Sequence, residues 1–188
     1  MHIFRRTSTA RPDHLLDAIT FAVEAAAITT RLTGRPMAVY NTRFGQPWGT
    51  IHWSTRFASI EEYYDFSTKL TAEPEYLALA AKGGNFFTSA PQDGLVNVVS
   101  ATLAPEPRRF YASVLAVAKN GKLAEAVAFG VKAQAYVAKT TGLATAFGTS
   151  VFGPYGEMGV AHRRAKRGGT RCAPGIHHDG HRLPRDRG

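Results

Sequence analysis

Apolar and polar residues recur with two different periodicities along the first half of the chain, one typical of strands and one typical of helices. Together they predict six elements. Four runs rich in β-branched and aromatic residues predict strands: residues 2–9, 37–44, 48–57 and 95–103. Residues 15–32 carry apolar side chains at helical spacing, and Gly34 follows as a stop signal. A second helical stretch opens at Ser59, with Glu62 three positions on as a capping box, and ends near residue 82.

The sequence pattern of residues 15–45 occurs twice in the chain. Shifted by 108 positions it falls on residues 123–153, and 11 of the 31 pairs are identical. A period of this length exceeds the roughly 20–50 residues of a solenoid unit and indicates a duplicated small domain. The second copy predicts further elements, after which the pattern stops: strand 109–117, helix 122–140, strand 143–152 and strand 155–161.

The order strand, helix, strand, strand, helix, strand is that of the ferredoxin-like, or split βαβ, arrangement. A unit this small buries modest area, so one face of its sheet usually needs a partner. We therefore predict an α+β protein in which two tandem ferredoxin-like repeats form a barrel-like pseudo-dimer, the second repeat being incomplete. The predicted boundaries are residues 1–104 for repeat 1, 108–161 for repeat 2 and 162–188 for a tail.

Charge is concentrated in the tail. The formal net charge is +9, but residues 161–188 hold eight Arg or Lys and two Asp, which leaves +3 for residues 1–160. Low hydrophobicity and high charge predict disorder in the tail, and its arginines predict weak, non-specific nucleic-acid binding through counterion release. Such an ending in mid-repeat is also typical of translation in a shifted reading frame. Without a fourth strand, repeat 2 would present a bare sheet edge, so we expect a homo-oligomer.

Other features point to a cytoplasmic protein. No apolar run approaches the roughly 18 residues of a membrane helix, the first six residues show no secretory pattern, and Cys172 is the single cysteine. In the tail, a group of four side chains could bind a metal, namely His177, His178, Asp179 and His181, although chance explains this grouping better, and we expect no metal.

The strand 48–57 carries the candidate chemistry. Alternation places Trp48, His52 and Arg56 on one face, where His52 could act as a general base and Arg56 could hold a carboxylate or oxyanion. The alternative is that this is simply the more polar face of a sheet. Tyr40 on the neighbouring strand and Tyr63 on the second helix could complete a substrate pocket, or pack in the core.

The segment from Ser59 to Tyr76 resembles the second helix of dimeric α+β barrel proteins, with the NIPSNAP-like and antibiotic-biosynthesis-monooxygenase-like families nearest. The resemblance implies that two ferredoxin-like units pair sheet to sheet around a barrel. That superfamily includes cofactor-free monooxygenases, haem-degrading enzymes, haem proteins resembling dismutases and members without known activity. Fold therefore does not fix function.

Three hypotheses follow for the function. The first is a monooxygenase-like oxidoreductase acting on a small apolar, aromatic or polyketide-like molecule, with His52 and Arg56 as the catalytic pair and Trp48, Tyr40 and Tyr63 binding substrate. The second is a non-enzymatic small-molecule-binding, structural or interaction module, and the third a nucleic-acid binder acting through the tail. We expect no cofactor. Haem is disfavoured because the Asn, Trp and His of haem-degrading relatives have no clear counterparts.

Overall fold

In a computed structural model of the chain, residues 1–102 and 110–164 are described, and they form one antiparallel sheet of seven strands with four helices. The strands are β1 (His2–Thr9), β2 (Ala38–Asn41), β3 (Thr50–Phe57), β4 (Gln92–Thr102), β5 (Phe110–Val117), β6 (Ala144–Phe152) and β7 (Glu157–Arg164). The helices are α1 (Leu15–Thr33), α2 (Ile60–Ala72), α3 (Pro74–Gly83) and α4 (Leu123–Thr141). The linker predicted at 105–107 lies outside the described residues. So do positions 165–188, which make up most of the predicted tail and on which the predictions of tail disorder, nucleic-acid binding and a histidine cluster rest. Residues 162–164, which the sequence pattern assigns to the tail, are the end of β7.

The duplication read from the sequence reappears in the elements. β5 and α4 begin and end 108 residues after β1 and α1, and β7 begins and ends 107 residues after β3. The ends of the two long helices match in detail. Gly34 and Gly142 both adopt a left-handed conformation, with φ of 71° and 66°, and their N–H groups donate to the carbonyls of Thr30 and Ala138. Glycine adopts this conformation without a steric penalty, so the same residue ends both helices.

The strand order shows how the repeats assemble. Repeat 1 contributes β2-β3-β1-β4, the order of a ferredoxin-like sheet, and repeat 2 contributes β6-β7-β5, which is the same order without its last strand. The repeats join where β4 pairs with β6. The predicted fold class is confirmed: α+β, with two ferredoxin-like repeats, the second incomplete among the described residues.

The sheet curls until its two ends meet. β2 and β5 stand at opposite ends of the strand order, yet the rings of Tyr40 and Tyr111 approach to 4.6 Å between centroids. The inner, concave face is therefore lined by strands of both repeats. The helices cover the outer face, where Trp53 of β3 donates its indole N–H to the carbonyl of Ala22 on α1. This is the barrel-like pseudo-dimer expected from the duplication.

Element ends differ from the predictions where local contacts decide them. β4 begins at Gln92, before the predicted residue 95, because Gln92 and its neighbours pair with β1. The capping box at α2 is shifted by one residue: the Ser59 hydroxyl accepts the Glu62 N–H, but the Glu62 carboxylate accepts the N–H of Ala58. No helix in the described part of the chain has the length and apolarity needed to cross a membrane.

Candidate functional site

The sheet of repeat 1 has a cavity on each face. The outer cavity, of about 530 Å³, lies between β1 and the helices α1, α2 and α3. The inner cavity, of about 160 Å³, lies in the concave face, between strands of repeat 1 and repeat 2. Alternation along β1 divides its side chains between the two, because successive residues of a strand point to opposite faces.

The outer cavity has a largely aromatic wall. Side chains from β1, β3, the helices and the segment that precedes β4 contribute its rings: Phe4, Phe21, Trp53, Tyr63, Phe66, Tyr76 and Phe87. Several of these rings pack edge to face, such as Trp53 against Phe87 at 5.8 Å between centroids. A wall of this kind suits a flat apolar molecule, because aromatic pairs prefer such arrangements.

An ion pair fixes one polar corner of the outer cavity. The Arg6 guanidinium donates from Nε and Nη2 to the two carboxylate oxygens of Asp93, at 2.7 and 2.6 Å. A third donor of Arg6 binds the Tyr76 hydroxyl at 2.7 Å. Its hydrogen bond to Asp93 raises the pKa of Arg6 above an already high value, so this group stays charged. The fork-shaped, bidentate contact orients the guanidinium.

Ser8 supplies a second polar group to the outer cavity. Its side chain is 4% exposed, and its hydroxyl has no hydrogen-bond partner in the protein. Buried hydroxyls are nearly always hydrogen-bonded, and an unmet one costs about 1–3 kcal/mol. Ser8 lines the cavity two residues after Arg6 on the same strand, which separates their Cα atoms by about 7 Å. The hydroxyl is therefore available to a ligand in the cavity.

These polar groups belong to repeat 1 alone. At the positions equivalent to Arg6 and Ser8, repeat 2 has Val114 and Ala116. Among the described residues, repeat 2 has no counterpart of α2 or α3, which form a large part of the wall of the outer cavity. Within the part of the chain that the structure describes, repeat 2 thus lacks the elements that would build such a cavity.

The structure places His52 on the concave face, as the strand alternation predicts. His52 is 5% exposed, its Nε2 lies 2.6 Å from the Thr42 hydroxyl, and its Nδ1 is buried without a protein partner. Burial, and secondarily the charge of Arg5, lowers the pKa of His52 to about 4. The imidazole is therefore neutral near neutral pH and is a weak base.

The other residues predicted from the sequence divide between three places. Arg56 and Tyr40 line the inner cavity, and Tyr40 of β2 is paired with His52 of β3. Tyr63 lines the outer cavity, on the opposite side of the sheet. Trp48 lies in the turn before β3 and is 65% exposed. His52, Arg56 and Tyr40 therefore share a face, and Tyr63 and Trp48 do not join them.

Sequence reasoning missed the outer-cavity group of Arg6, Ser8, Asp93 and Tyr76. Alternation along β1 was the available signal, since it places Phe4, Arg6 and Ser8 on one face. No group of three or more His, Cys, Asp or Glu side chains within residues 1–102 and 110–164 is arranged to hold a metal ion.

No protein-family model and no curated protein matches this chain. Solved structures do. A Fusobacterium nucleatum protein named "putative monooxygenase" aligns with 86% of this chain and 74% of its own, at a TM-score of 0.64 and 8% identity. A NIPSNAP domain protein from Burkholderia xenovorans aligns with 56% of this chain and all of its own, at 0.47 and 12%. An antibiotic biosynthesis monooxygenase homologue from Nitrosomonas europaea aligns with 53% and 100%, at 0.43 and 7%.

The Fusobacterium nucleatum structure shows that this chain shares its fold, and at 8% identity the likeness extends to the fold alone. The structural neighbours are NIPSNAP domain proteins and antibiotic-biosynthesis-monooxygenase-like proteins, the two groups that the segment around α2 resembles.

Proposed function

We propose that repeat 1 binds a small, flat, apolar molecule bearing one hydrogen-bonding group, and that the outer cavity is the site. The observation that carries this proposal is an aromatic-walled cavity of about 530 Å³ containing the buried, unpartnered hydroxyl of Ser8. Small-molecule sites typically occupy about 300–1,000 Å³, with apolar walls and few polar groups that fix orientation. Ser8 can donate to or accept from the ligand, and Arg6, held by Asp93 and Tyr76, provides a fixed positive charge nearby.

We infer that the chemistry performed on this molecule is oxygenation. The support is the shared fold of a Fusobacterium nucleatum protein whose name includes monooxygenase. The second candidate is binding without turnover, which the absence of a strong base from the described cavity wall favours. Among the ionisable side chains that line the outer cavity, Asp93 is engaged by Arg6. Tyr63 has its pKa raised, chiefly by burial.

His52 and Arg56 remain the alternative catalytic pair, on the concave face. A pKa of about 4 leaves His52 in the neutral form that accepts a proton, but makes it a poor base near neutral pH. If turnover is found, His52→Ala distinguishes the two sites. Loss of activity in a folded variant assigns the reaction to the concave face, and unchanged activity leaves the outer cavity as the site.

Binding can be followed through Trp53, which lines the outer cavity. The chain has two tryptophans, so Trp48→Phe leaves Trp53 as the single tryptophan. Titration with 1-naphthol should quench its emission saturably. Ala25→Phe places a ring in the cavity from α1 and should abolish binding. The control Ala133→Phe makes the same change 108 residues later, at a position of α4 that does not line the outer cavity.

The role of Ser8 is tested with paired probes. Ser8→Ala should weaken 1-naphthol about 3–10-fold, the value of one hydrogen bond, and leave naphthalene unchanged. Equal effects on both probes would remove Ser8 from the proposal. Retained quenching in Ala25→Phe would reject the outer cavity as the site. Oxygen uptake and a product that has gained one oxygen atom and lost two hydrogen atoms separate turnover from binding alone, because without an external reductant the substrate itself supplies the two electrons that reduce the second oxygen atom to water.

A further inference from the structure

We propose that the outer cavity takes an elongated ligand with a second hydrogen-bonding group, at the end opposite to the group that Ser8 meets. This inference rests on the binding site proposed above and narrows the class of molecule that fits it. The second protein group is the hydroxyl of Thr29 on α1, a buried residue that lines the same cavity.

The hydroxyl of Thr29 differs from those of the neighbouring threonines of α1. Thr30 and Thr33 donate their hydroxyls to the carbonyls four residues earlier, each at 2.7 Å, which is a common partner for a helical threonine. Thr29 is 5% exposed, and its hydroxyl forms no hydrogen bond within the described part of the chain. Because buried hydroxyls are nearly always hydrogen-bonded, Thr29 is available to a ligand, as Ser8 is.

Ser8 lies at the end of the cavity that is nearer the start of α1. Phe21, in the first half of α1, packs against Phe87 at 5.8 Å between ring centroids. Phe87 in turn forms a bridge with Ala10, the second residue after Ser8 in the chain. The first half of α1 therefore lies beside the end of β1 that carries Ser8.

Thr29 lies at the other end of the cavity, on the side of Phe4. The residue after Thr29 accepts the N–H of Met37 with its hydroxyl, and the carbonyl before Met37 accepts the hydroxyl of Thr55, which is paired with Phe4. Phe4 and Met37 line the cavity together with Thr29. Phe4 precedes Ser8 by four residues of one strand, or about 13 Å, which is the approximate length of the cavity between its two hydroxyl-bearing ends.

The volume of the cavity and the rings between its ends set the body of the ligand. An apolar cavity of about 150 Å³ is large enough to hold benzene, so a space of about 530 Å³ suits a molecule of two or three rings. Trp53, Phe21 and Phe87 supply aromatic surface along its length. We expect a flat, rod-shaped molecule with a hydroxyl or carbonyl oxygen at each end of its long axis.

Comparison with repeat 2 indicates that neither hydroxyl is needed to pack the helix on the sheet. At the positions equivalent to Thr29 and Ser8, repeat 2 has Val137 and Ala116. Valine has nearly the shape of threonine without its hydroxyl, and Val137 belongs to a helix of the same length as α1. Thr29→Val should therefore leave the protein at least as stable, because an unmet buried hydroxyl is destabilising.

Three naphthalene derivatives test the arrangement by isothermal titration calorimetry. 2,6-Dihydroxynaphthalene has a hydroxyl at each end of its long axis, 2,3-dihydroxynaphthalene has both at one end, and 2-naphthol has one. We expect the 2,6 isomer to bind about 3–10-fold more tightly than 2-naphthol, the value of one further hydrogen bond, and more tightly than the 2,3 isomer. Thr29→Val should remove this gain and leave the affinity for 2-naphthol unchanged.

Two further variants separate the hydrogen bond from other effects. Thr29→Ser keeps the hydroxyl and should keep the gain. Thr20→Val is the matched control and should change nothing, because Thr20 is an exposed threonine of α1 that does not line the cavity and donates to the carbonyl of Leu16.

The comparison of the three ligands on the wild-type protein does not depend on whether the variants fold. The proposal is overturned if the 2,6 isomer binds no more tightly than 2-naphthol or the 2,3 isomer, or if folded Thr29→Val retains the gain. In those cases saturable binding of 2-naphthol leaves the outer cavity standing as a site. If none of the three compounds binds, the outer cavity itself is rejected.

Discussion

The ring of Phe147 on β6 fills the space that a side chain at Gly130 on α4 would need. A Cβ built on Gly130 would overlap Cε2 and Cζ of that ring. The equivalent pair in repeat 1 is Ala22 and Val39, which pack in one hydrophobic cluster. Both repeats thus fill the same helix–sheet contact, but repeat 1 has the larger helix residue and the smaller strand residue, and repeat 2 has the reverse. Protein cores are packed so densely that a larger side chain on one element requires a smaller side chain on the element that faces it.

Gly130→Ala is therefore expected to destabilise the protein by about 1–3 kcal/mol, through overpacking against Phe147. Helix propensity alone predicts the opposite sign, because alanine is about 1 kcal/mol better than glycine within a helix. The double variant Gly130→Ala/Phe147→Val restores the repeat 1 pair and should regain part of the loss. Urea unfolding of the wild type, both single variants and the double variant gives the coupling energy. A more stable Gly130→Ala variant would contradict this account.

The same comparison shows how far the sequence could predict the structure. The bounds of β1 and the glycine at the end of α1 follow from the local pattern of residues. The duplication supports both predictions, because the same pattern occurs again at β5 and α4. The ion pair of Arg6 with Asp93 could not be predicted this way. The ion pair depends on the register between β1 and β4, which is a long-range property. In addition, glycine is a weak strand former, so with Gly94 in the sequence the strand is predicted to begin only after Asp93.

Strand alternation could place only some of the candidate residues. It puts His52 and Arg56 on one face of β3, because side chains of a single strand alternate between the two faces of the sheet. Tyr63 belongs to a helix that covers the other face of the sheet, and the side of the sheet that a helix covers is decided by the connection between them. Local pattern could not show that the two groups face different cavities.

His52 should make the stability of the protein depend on pH. Its pKa is lowered to about 4 in the folded state, chiefly by burial, against an ordinary value of 6.5. Between these values the unfolded chain binds more protons, so stability falls as pH drops from about 6.5 towards 4 and is unaffected by this group above that range. Urea unfolding near about pH 7 and about pH 5 should show a smaller loss for His52→Gln than for the wild type. Equal losses would remove His52 as the cause.

Burial of the aromatic residue at one repeated position differs sharply between the repeats. Phe21 of α1 is 9% exposed and packs against Phe86 and Phe87, whereas Phe129, its equivalent on α4, is 72% exposed. The described part of repeat 2 has no helices that correspond to α2 and α3 to cover it. Val114 of β5, an edge strand, is also 71% exposed. Apolar residues thus remain uncovered on both α4 and β5.

We expect this uncovered surface to drive self-association, because exposed apolar patches and unpaired strand edges promote contact between copies. Val114→Lys and Phe129→Glu should each shift the protein towards the monomer in light scattering coupled to size exclusion. Leu16→Lys is the matched control, because Leu16 is 78% exposed on α1 of the covered repeat and should change nothing. A wild-type monomer at high concentration, or an equal shift in all three variants, would show that the uncovered face of repeat 2 does not bring copies together.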